Sequence, residues 1–149
     1  MVADPADPME RVLDIWSDVI HGRFVYAGGA IDYADRERTH KWRHDLAKMT
    51  MPTPVYCPIC ANQDEADDET IMRRNTTALA TAARAVFLLD GTYTVGTPVE
   101  IGQRVAYLPP ETVAIVHPGP PGVFVRVWQK NGVFVVPTFE ELEPWLRSR

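Results

Sequence analysis

The segment from Leu89 to Gly102, LDGTYTVGTPVEIG, holds the residues whose types and spacing best suit chemistry. Thr97, Pro98 and Glu100 have the spacing of a helix start, with an N-cap threonine, a proline at the first helical position and a glutamate three residues after the cap. This capping box could by itself explain Glu100. A carboxylate in the first turn is also kept ionised by the helix dipole, down to moderately low pH, as a nucleophile requires. The pattern leaves a structural and a catalytic interpretation of Glu100 open.

Three predicted strands end in glycines or ionisable residues, and in a parallel sheet such ends lie together where ligands bind. The three strand ends are Gly28-Gly29, Asp90-Gly91 and His117-Pro118-Gly119. Gly91 and Gly96 would let a ligand approach the backbone closely, because glycine has no side chain. Tyr26 places a phenol beside the first glycine pair, although a tyrosine on a buried strand is equally a core aromatic. His117 fits either a site residue or a structural histidine.

Two histidines and two cysteines have spacings that zinc ligands use, His40-x3-His44 followed by Cys57-x2-Cys60. A single cysteine pair with an internal proline is a modest signal, and free cysteines are commonly buried in cores. We therefore expect buried, unliganded side chains and no bound metal. A redox role is not expected, because the pair does not open a helix in a thioredoxin-like context.

Length and charge limit the classes of protein to which the chain can belong. Its 149 residues predict one domain, residues 1–149, with a loose lead-in at residues 1–8. The 15 Lys and Arg against 20 Asp and Glu give a net charge of −5, which argues against a binder of nucleic-acid polymers. No apolar run reaches the roughly 18 residues of a membrane span, and the first residues lack a secretory signal. The expectation is a cytoplasmic protein without membrane contact.

Helical and strand patterns alternate along the chain. The predicted helices cover Met9–Ile20, Tyr33–Lys48, Glu69–Ala83, Thr97–Leu108 and Phe139–Arg147. The predicted strands cover Phe24–Ala27, Val55–Cys57, Ala85–Leu89 and Thr112–Val116. Val123–Val127 and Val133–Val136 flank an Asn-Gly pair and predict a β-hairpin. The order predicts a doubly wound, flavodoxin- or Rossmann-like α/β fold, with a mostly parallel sheet, helices on both faces and a small C-terminal hairpin and helix.

The chain resembles the nucleoside 2-deoxyribosyltransferase family and its hydrolase relatives, the nucleoside 5′-monophosphate N-glycosidases. The matching pieces are Val25-Tyr26-Ala27-Gly28-Gly29, Ala34-Asp35-Arg36-Glu37-Arg38, the helix and strand from Asn75 to Leu89, Asp90-Gly91, and Gly96-Thr97-Pro98-Val99-Glu100-Ile101-Gly102. The resemblance implies a doubly wound fold, cleavage of an N-glycosidic bond, and an oligomer with shared active sites. That chemistry requires no metal or organic cofactor.

The resemblance also implies roles for individual residues. Glu100 corresponds to the family's catalytic glutamate, with Tyr26 and Asp90 as its supports. The candidate substrate-binding residues are Gly28, Gly29, Asp32, Thr94, Gly96, Thr97 and His117. The positions that match acidic, base-holding residues of the transferases are Asn75 or Thr76, and Thr94, and none of these is acidic.

We therefore expect an N-glycosidase that hydrolyses a (deoxy)nucleoside or its 5′-monophosphate through a glutamate nucleophile. Base exchange by a deoxyribosyltransferase and a non-catalytic nucleotide-binding or sensing module stay open as alternatives. The expected partners are this small molecule and further copies of the chain, as a homodimer or higher homo-oligomer. The apolar segment from Val123 to Val136 is the candidate contact.

Overall fold

A computed structural model describes residues 21–31, 35–62 and 66–148 of the chain. The strands are β1 Val25–Gly29, β2 Val55–Tyr56, β3 Arg84–Leu88, β4 Val113–Val116 and β5 Phe134–Val136. The helices are α1 Arg36–Thr50, α2 Pro58–Ala61, α3 Asp68–Thr81, α4 Gly96–Tyr107, α5 Val123–Lys130 and α6 Glu143–Arg147, with 3-10 turns at Pro110–Thr112 and Glu140–Leu142. All strand pairs are parallel, in the order β2-β1-β3-β4-β5. The predicted helix Met9–Ile20 lies outside the described residues.

The two faces of the sheet are covered by different helices, because side chains alternate along each strand. On one face, Ala27 of β1 packs in a cluster with Leu46 of α1. On the other face, Tyr26 of β1 packs in a cluster with Leu79 of α3 and Ile101 of α4. The prediction of a doubly wound α/β fold is confirmed.

Apolar runs place the strands within one or two residues of their predicted bounds. Val113–Val116 and the last four residues of Arg84–Leu88 are buried, as expected of strands covered on both faces. β1 lies between β2 and β3, so the strand order reverses at β1. Open parallel sheets bind ligands in the crevice outside the carboxyl ends of the strands at such a reversal.

Aspartates are the N-caps of the two longest helices among the described residues. The Asp35 carboxylate accepts the N–H of Arg38 at 3.0 Å, and that of Asp67 accepts the N–H of Thr70 at 2.7 Å. Such N-caps satisfy backbone donors that have no partner within the helix. These helices have 15 and 14 residues, and within the described ranges no helix is long and apolar enough to cross a bilayer.

The predicted C-terminal β-hairpin is wrong. Residues Val123–Lys130 form helix α5 rather than a strand. The strand that follows pairs parallel to β4, with Val136 opposite Val116, so the segment is a crossover and not a reversal. The valines at 123, 125 and 127 alternate with other residues, as in a strand. Phe124 and Trp128, however, are four residues apart, the spacing of neighbours on a helix, and their ring centroids lie 6.0 Å apart.

The Asn131-Gly132 pair ends α5 instead of turning a hairpin. The N–H of Gly132 bonds to the carbonyl of Gln129, and the N–H of Val133 bonds to that of Trp128. Gly132 has φ +114°, a left-handed conformation that favours glycine. These are the two hydrogen bonds of a Schellman motif. An Asn-Gly pair suits both a hairpin turn and a helix end, and here the parallel pairing of β5 determines which one forms.

Candidate functional site

A cavity of about 1140 Å³ opens beside the carboxyl end of β1. Its walls come from the residues after β1, from α2, from α3 and from the first turns of α4. The lining residues are Gly29, Ile31, Arg36, Pro58, Ile59, Asn62, Asp68, Ile71, Met72, Asn75, Thr76, Leu79, Tyr93, Thr94, Val95, Gly96, Thr97, Val99, Glu100 and Gln103. Small-molecule sites commonly have roughly 300–1,000 Å³, so this cavity is large for one.

Glu100 lines the cavity and is the fifth residue of α4. Its Oε2 accepts a hydrogen bond from the hydroxyl of Tyr26, a fully buried residue of β1. The Tyr26 ring stacks on that of Tyr56 with a centroid distance of 5.6 Å. A carboxylate is thus held at one oxygen at the cavity wall. A Cβ on Gly96 would lie 4.0 Å from Oε1, so glycine leaves space in front of the second oxygen.

Burial sets the electrostatics of this pair. It raises the pKa of Glu100, while the hydrogen bond from Tyr26 and the charge of Arg43 act in the opposite direction. The pKa of Tyr26 is raised well above its ordinary value by burial and by the Glu100 charge, so the phenol keeps its proton and acts as the donor. Burial therefore acts against the expected effect of the helix dipole on Glu100, because lost hydration outweighs the stabilising contacts.

The capping-box interpretation of Glu100 is wrong. Helix α4 begins at Gly96, with Val95 at the N-cap and no side-chain cap there. The hydroxyl of Thr94 accepts the N–H of Thr97 at 3.3 Å and lies 3.0 Å from the Thr97 hydroxyl. Thr94, rather than Thr97, therefore provides the side-chain oxygen that accepts a backbone N–H at the start of the helix. Glu100 is free of that role and bonds to Tyr26.

Arg43 is a charged residue of the site that the sequence analysis missed. It is fully buried, and its guanidinium donates to the carbonyls of Ala27 at 3.2 Å, Thr39 at 3.1 Å and Gly29 at 3.2 Å. Three backbone acceptors thus hold a positive charge beneath the end of β1. Its spacing in the sequence could have indicated its burial, because it lies on the buried side of α1 together with Thr39, Trp42, Leu46 and Ala47. A charge on a buried stripe requires partners.

The glycine pair after β1 serves packing as much as ligand approach. A Cβ on Gly28 would lie 2.3 Å from the Phe87 ring, and one on Gly29 would lie 2.9 Å from the Trp42 ring. Both distances are shorter than side chains tolerate. Gly29 also lines the cavity, whereas Gly28 faces the Phe87 side of the sheet.

Two asparagines form a polar wall of the cavity. The Asn75 Oδ1 accepts the hydroxyl of Tyr56 at 2.9 Å and the Nδ2 of Asn62 at 3.1 Å. With two donors on its oxygen, the Asn75 amide has a fixed orientation. Asn62 was not expected in the site, because it is the C-cap of α2, a helix that the sequence did not predict.

Asp90 and His117 are not brought to Glu100. Asp90 pairs with Arg38 at 3.0 Å and accepts the N–H of Thr92 at 3.0 Å, in a second cavity of about 40 Å³. His117 ends β4, where its ring nitrogen lies 3.3 Å from the Gly119 carbonyl. Of the predicted site residues, Gly29, Thr94, Gly96, Thr97 and Glu100 line the main cavity and Tyr26 lies against it. Asp32 lies outside the described residues.

The cysteine pair has a local structure that the sequence analysis did not expect. Cys57 is the N-cap of α2, and its sulfur accepts the N–H of Cys60 at 3.4 Å. The pair therefore does open a helix, contrary to the expectation. Both cysteines are free and buried. Across the residues that the structure describes, no three His, Cys, Asp or Glu side chains are grouped as metal ligands would be.

Comparison with known proteins finds no family model that matches the chain and no match among curated proteins. The chemistry of the cavity is therefore inferred from its own side chains. The central ones are a half-buried carboxylate, the phenol that donates to it, and a buried guanidinium nearby.

Proposed function

We propose that the protein is an N-glycosidase that hydrolyses the bond between sugar and base in a (deoxy)nucleoside or a nucleoside 5′-monophosphate. Glu100 is the nucleophile. The observation that carries the proposal is the hydrogen bond from Tyr26 to Glu100 at the wall of the large cavity. The resemblance to the nucleoside 2-deoxyribosyltransferase family supports it, because Tyr26 and Glu100 lie in two of the matching pieces.

The reaction needs one carboxylate oxygen free and the other held. Tyr26 donates to Oε2, so Oε1 attacks the anomeric carbon as the bond to the base nitrogen breaks. The electron pair of that bond leaves with the base, which takes a proton from water or from a donor in the cavity. Water then attacks the glycosyl ester, which releases the sugar and restores the carboxylate.

The cavity walls offer groups for each part of such a substrate. Apolar side chains that are largely exposed surround it, including Met72, Tyr93 and Val99, and they suit the faces of a planar base. The Asn75 amide suits the polar edge of a base or a sugar hydroxyl. Arg36 lines the same cavity and adds a positive charge that would favour a 5′-phosphate.

Hydrolysis is proposed over base exchange for a specific reason. Thr94 and Asn75 line the cavity at positions where the resemblance places acidic, base-holding residues of the transferases. Without those carboxylates the released base is held weakly, so it leaves before it can be replaced. Water then captures the glycosyl ester.

A nucleotide-binding module without turnover is the second candidate. The observation that favours it is the ion pair of Asp90 with Arg38, which holds an expected support of Glu100 in a separate cavity. Binding would then use the same walls with no bond broken.

We also propose that the protein self-associates through α5. Val123, Phe124 and Val127 are exposed on this helix to 64%, 76% and 51%. Apolar side chains exposed together in this way commonly mark a contact surface. The resemblance implies the same, because that family shares its active sites between chains.

The proposed reaction is tested by incubating the protein with a panel of nucleosides, deoxynucleosides and their 5′-monophosphates. Chromatography then measures the free base together with the free sugar, or with the sugar 5-phosphate when the compound is a monophosphate. Release of both in equal amounts from at least one compound supports the hydrolase. If a second free base is added and its nucleoside forms faster than sugar is released, the protein is a transferase. Tight binding of a panel member without release identifies the binding module.

A further inference from the structure

Cys57 and Cys60 form a dithiol at the junction of β2 and α2. Cys57 directly follows β2, caps α2 and accepts the Cys60 N–H at 3.4 Å. The carbonyl of Cys57 also accepts the N–H of Ala61 at 3.0 Å, which closes the first helical turn around the pair. Both cysteines therefore lie on the same turn of the chain.

This geometry brings the two thiols within hydrogen-bond reach of each other. Residues three apart on a helical turn have Cβ atoms about 5–6 Å apart, and those of bridged cysteines lie roughly 3.5–4.5 Å apart, so the two residues must approach each other slightly to form the bond. The sulfur of Cys57 already points toward the Cys60 backbone, as its contact with that N–H shows.

The surroundings activate one of the two thiols. A hydrogen bond from the Cys60 thiol lowers the pKa of Cys57, burial opposes this, and the charge of Arg43 lowers it further. The pKa of Cys60 is raised, first by that same hydrogen bond. Both shifts favour ionisation of Cys57 over that of Cys60, which is the order of a nucleophilic and a resolving cysteine.

Access to the pair favours small oxidants. Cys57 is 0% exposed and Cys60 is 7% exposed, so a bulky reagent cannot reach either sulfur in the folded protein. The two residues between them, Pro58 and Ile59, line the main cavity. The dithiol therefore flanks a segment of the cavity wall.

We propose that Cys57 and Cys60 are a redox-active dithiol that small hydroperoxides oxidise to an intramolecular disulfide. The Cys57 thiolate attacks the peroxide, the O–O bond breaks, and hydroxide leaves and takes up a proton as water. The resulting Cys57 sulfenic acid is attacked by Cys60, which forms the S–S bond and releases a second water. One hydrogen peroxide thus oxidises two thiols by two electrons and becomes two waters. An added dithiol reverses the reaction by exchange.

The experiment uses the full chain, reduced with dithiothreitol and desalted. The native protein is treated with one equivalent of hydrogen peroxide, then denatured and alkylated, and its peptides are analysed by mass spectrometry. The proposal expects one unalkylated peptide that contains both cysteines and has lost two hydrogens. Dithiothreitol should return both thiols. Two alkylated thiols after excess peroxide, or sulfinic acid without a disulfide, would overturn the proposal.

Matched serine variants separate the two roles. Cys60→Ser should consume peroxide at about the wild-type rate and accumulate a Cys57 sulfenic acid that a dimedone probe traps. Cys57→Ser should consume peroxide at least about tenfold more slowly, because the remaining thiol is mostly protonated. Equal rates for the two variants would contradict the assignment of Cys57 as nucleophile. If either variant fails to fold, as judged by circular dichroism, the disulfide analysis of the unmodified chain decides the proposal.

Discussion

The hydroxyl of Tyr26 donates a hydrogen bond to Oε2 of Glu100, which lies 74 positions further along the chain. The fold brings them together because Tyr26 points from β1 toward the face covered by α4. Tyr26 offers Glu100 a donor that does not ionise, since its own pKa is raised by burial and by the carboxylate. The bond both orients the carboxylate and favours its ionised form, against the cost of burial.

Tyr26→Phe is expected to weaken the proposed activity and move its acid limb to higher pH. The hydrogen bond from Tyr26 lowers the pKa of Glu100, so without it more alkaline solution is needed to ionise the carboxylate. A hydrogen bond to a charged group contributes about 1.5–3 kcal/mol, which corresponds to a roughly 10- to 100-fold loss of rate. The pH dependence of base release from the best panel compound measures both effects.

Tyr56→Phe is the matched control. It removes a hydroxyl from the ring that stacks on Tyr26, but that hydroxyl donates to Asn75 and not to Glu100. Its acid limb should stay close to that of the unmodified chain. Equal shifts in the two variants would show that the Tyr26 hydroxyl has no particular effect on Glu100.

Glu100→Gln is expected to leave the protein at least as stable as the unmodified chain at neutral pH. Burial raises the pKa of Glu100 above its value in the unfolded chain. Its contribution to stability is then greatest below the unfolded pKa and falls as the pH rises through the folded pKa. Glutamine does not ionise and can still accept the Tyr26 hydrogen bond. Urea unfolding at about pH 4 and pH 7 should show the variant gaining relative to the glutamate as pH rises.

A variant that loses stability relative to the unmodified chain between those two pH values would contradict this sign. It would mean that the contacts from Tyr26 and Arg43 outweigh the burial of the carboxylate.

Gly28→Ala and Gly102→Ala are expected to change stability in opposite directions. A Cβ on Gly28 would lie 2.3 Å from the Phe87 ring, so the sheet or the ring must shift at a cost of about 1–3 kcal/mol. Gly102 lies within α4, with nothing within 4 Å of its added Cβ, so alanine should stabilise the helix by about 0.5–1 kcal/mol. Thermal unfolding of both variants checks the signs. A Gly28→Ala protein as stable as Gly102→Ala would show that the packing of β1 against β3 is looser than described.

Self-association is expected to depend on α5. The chain of 16.8 kDa should scatter light as a dimer or larger assembly at micromolar concentration. Phe124→Ser removes the aromatic ring that is 76% exposed on this helix and should shift the assembly toward monomer. Tyr107→Ser is the control, because its ring is 87% exposed on α4 rather than on α5. A monomer in the unmodified protein would end the proposal, and equal effects of both variants would remove α5 as the contact.

The sheet was predictable because its strands are apolar runs with clear ends. Continuous apolar runs such as Ala85 to Leu88 and Val113 to Val116 predict buried parallel strands without knowledge of the surrounding structure. The segment after β4 was not predictable on the same grounds, since alternating valines and an Asn-Gly pair fit a hairpin and a capped helix alike. The choice between them depends on tertiary pairing: β5 aligns in parallel with β4.

Individual residues of the site could be predicted from their type and position in the sequence, but their contacts could not. Glu100 and Tyr26 were named from the sequence, but the sequence cannot show that they bond to each other, because the contact spans two elements. Asp90 was grouped with them because it also follows a strand, yet it pairs with Arg38. Arg43 was missed, because a buried arginine is identified by the three backbone carbonyls around it and those come from the fold.

The most direct test of the central proposal measures base release by the unmodified protein and by Glu100→Gln, with the same compound at the same pH. The glutamine keeps the size of the side chain and an acceptor for Tyr26, but an amide cannot form the glycosyl ester. The account predicts a folded variant whose rate of base release is lower by roughly a thousandfold or more. A folded Glu100→Gln protein that releases base at a near-normal rate would contradict the assignment of Glu100 as the nucleophile.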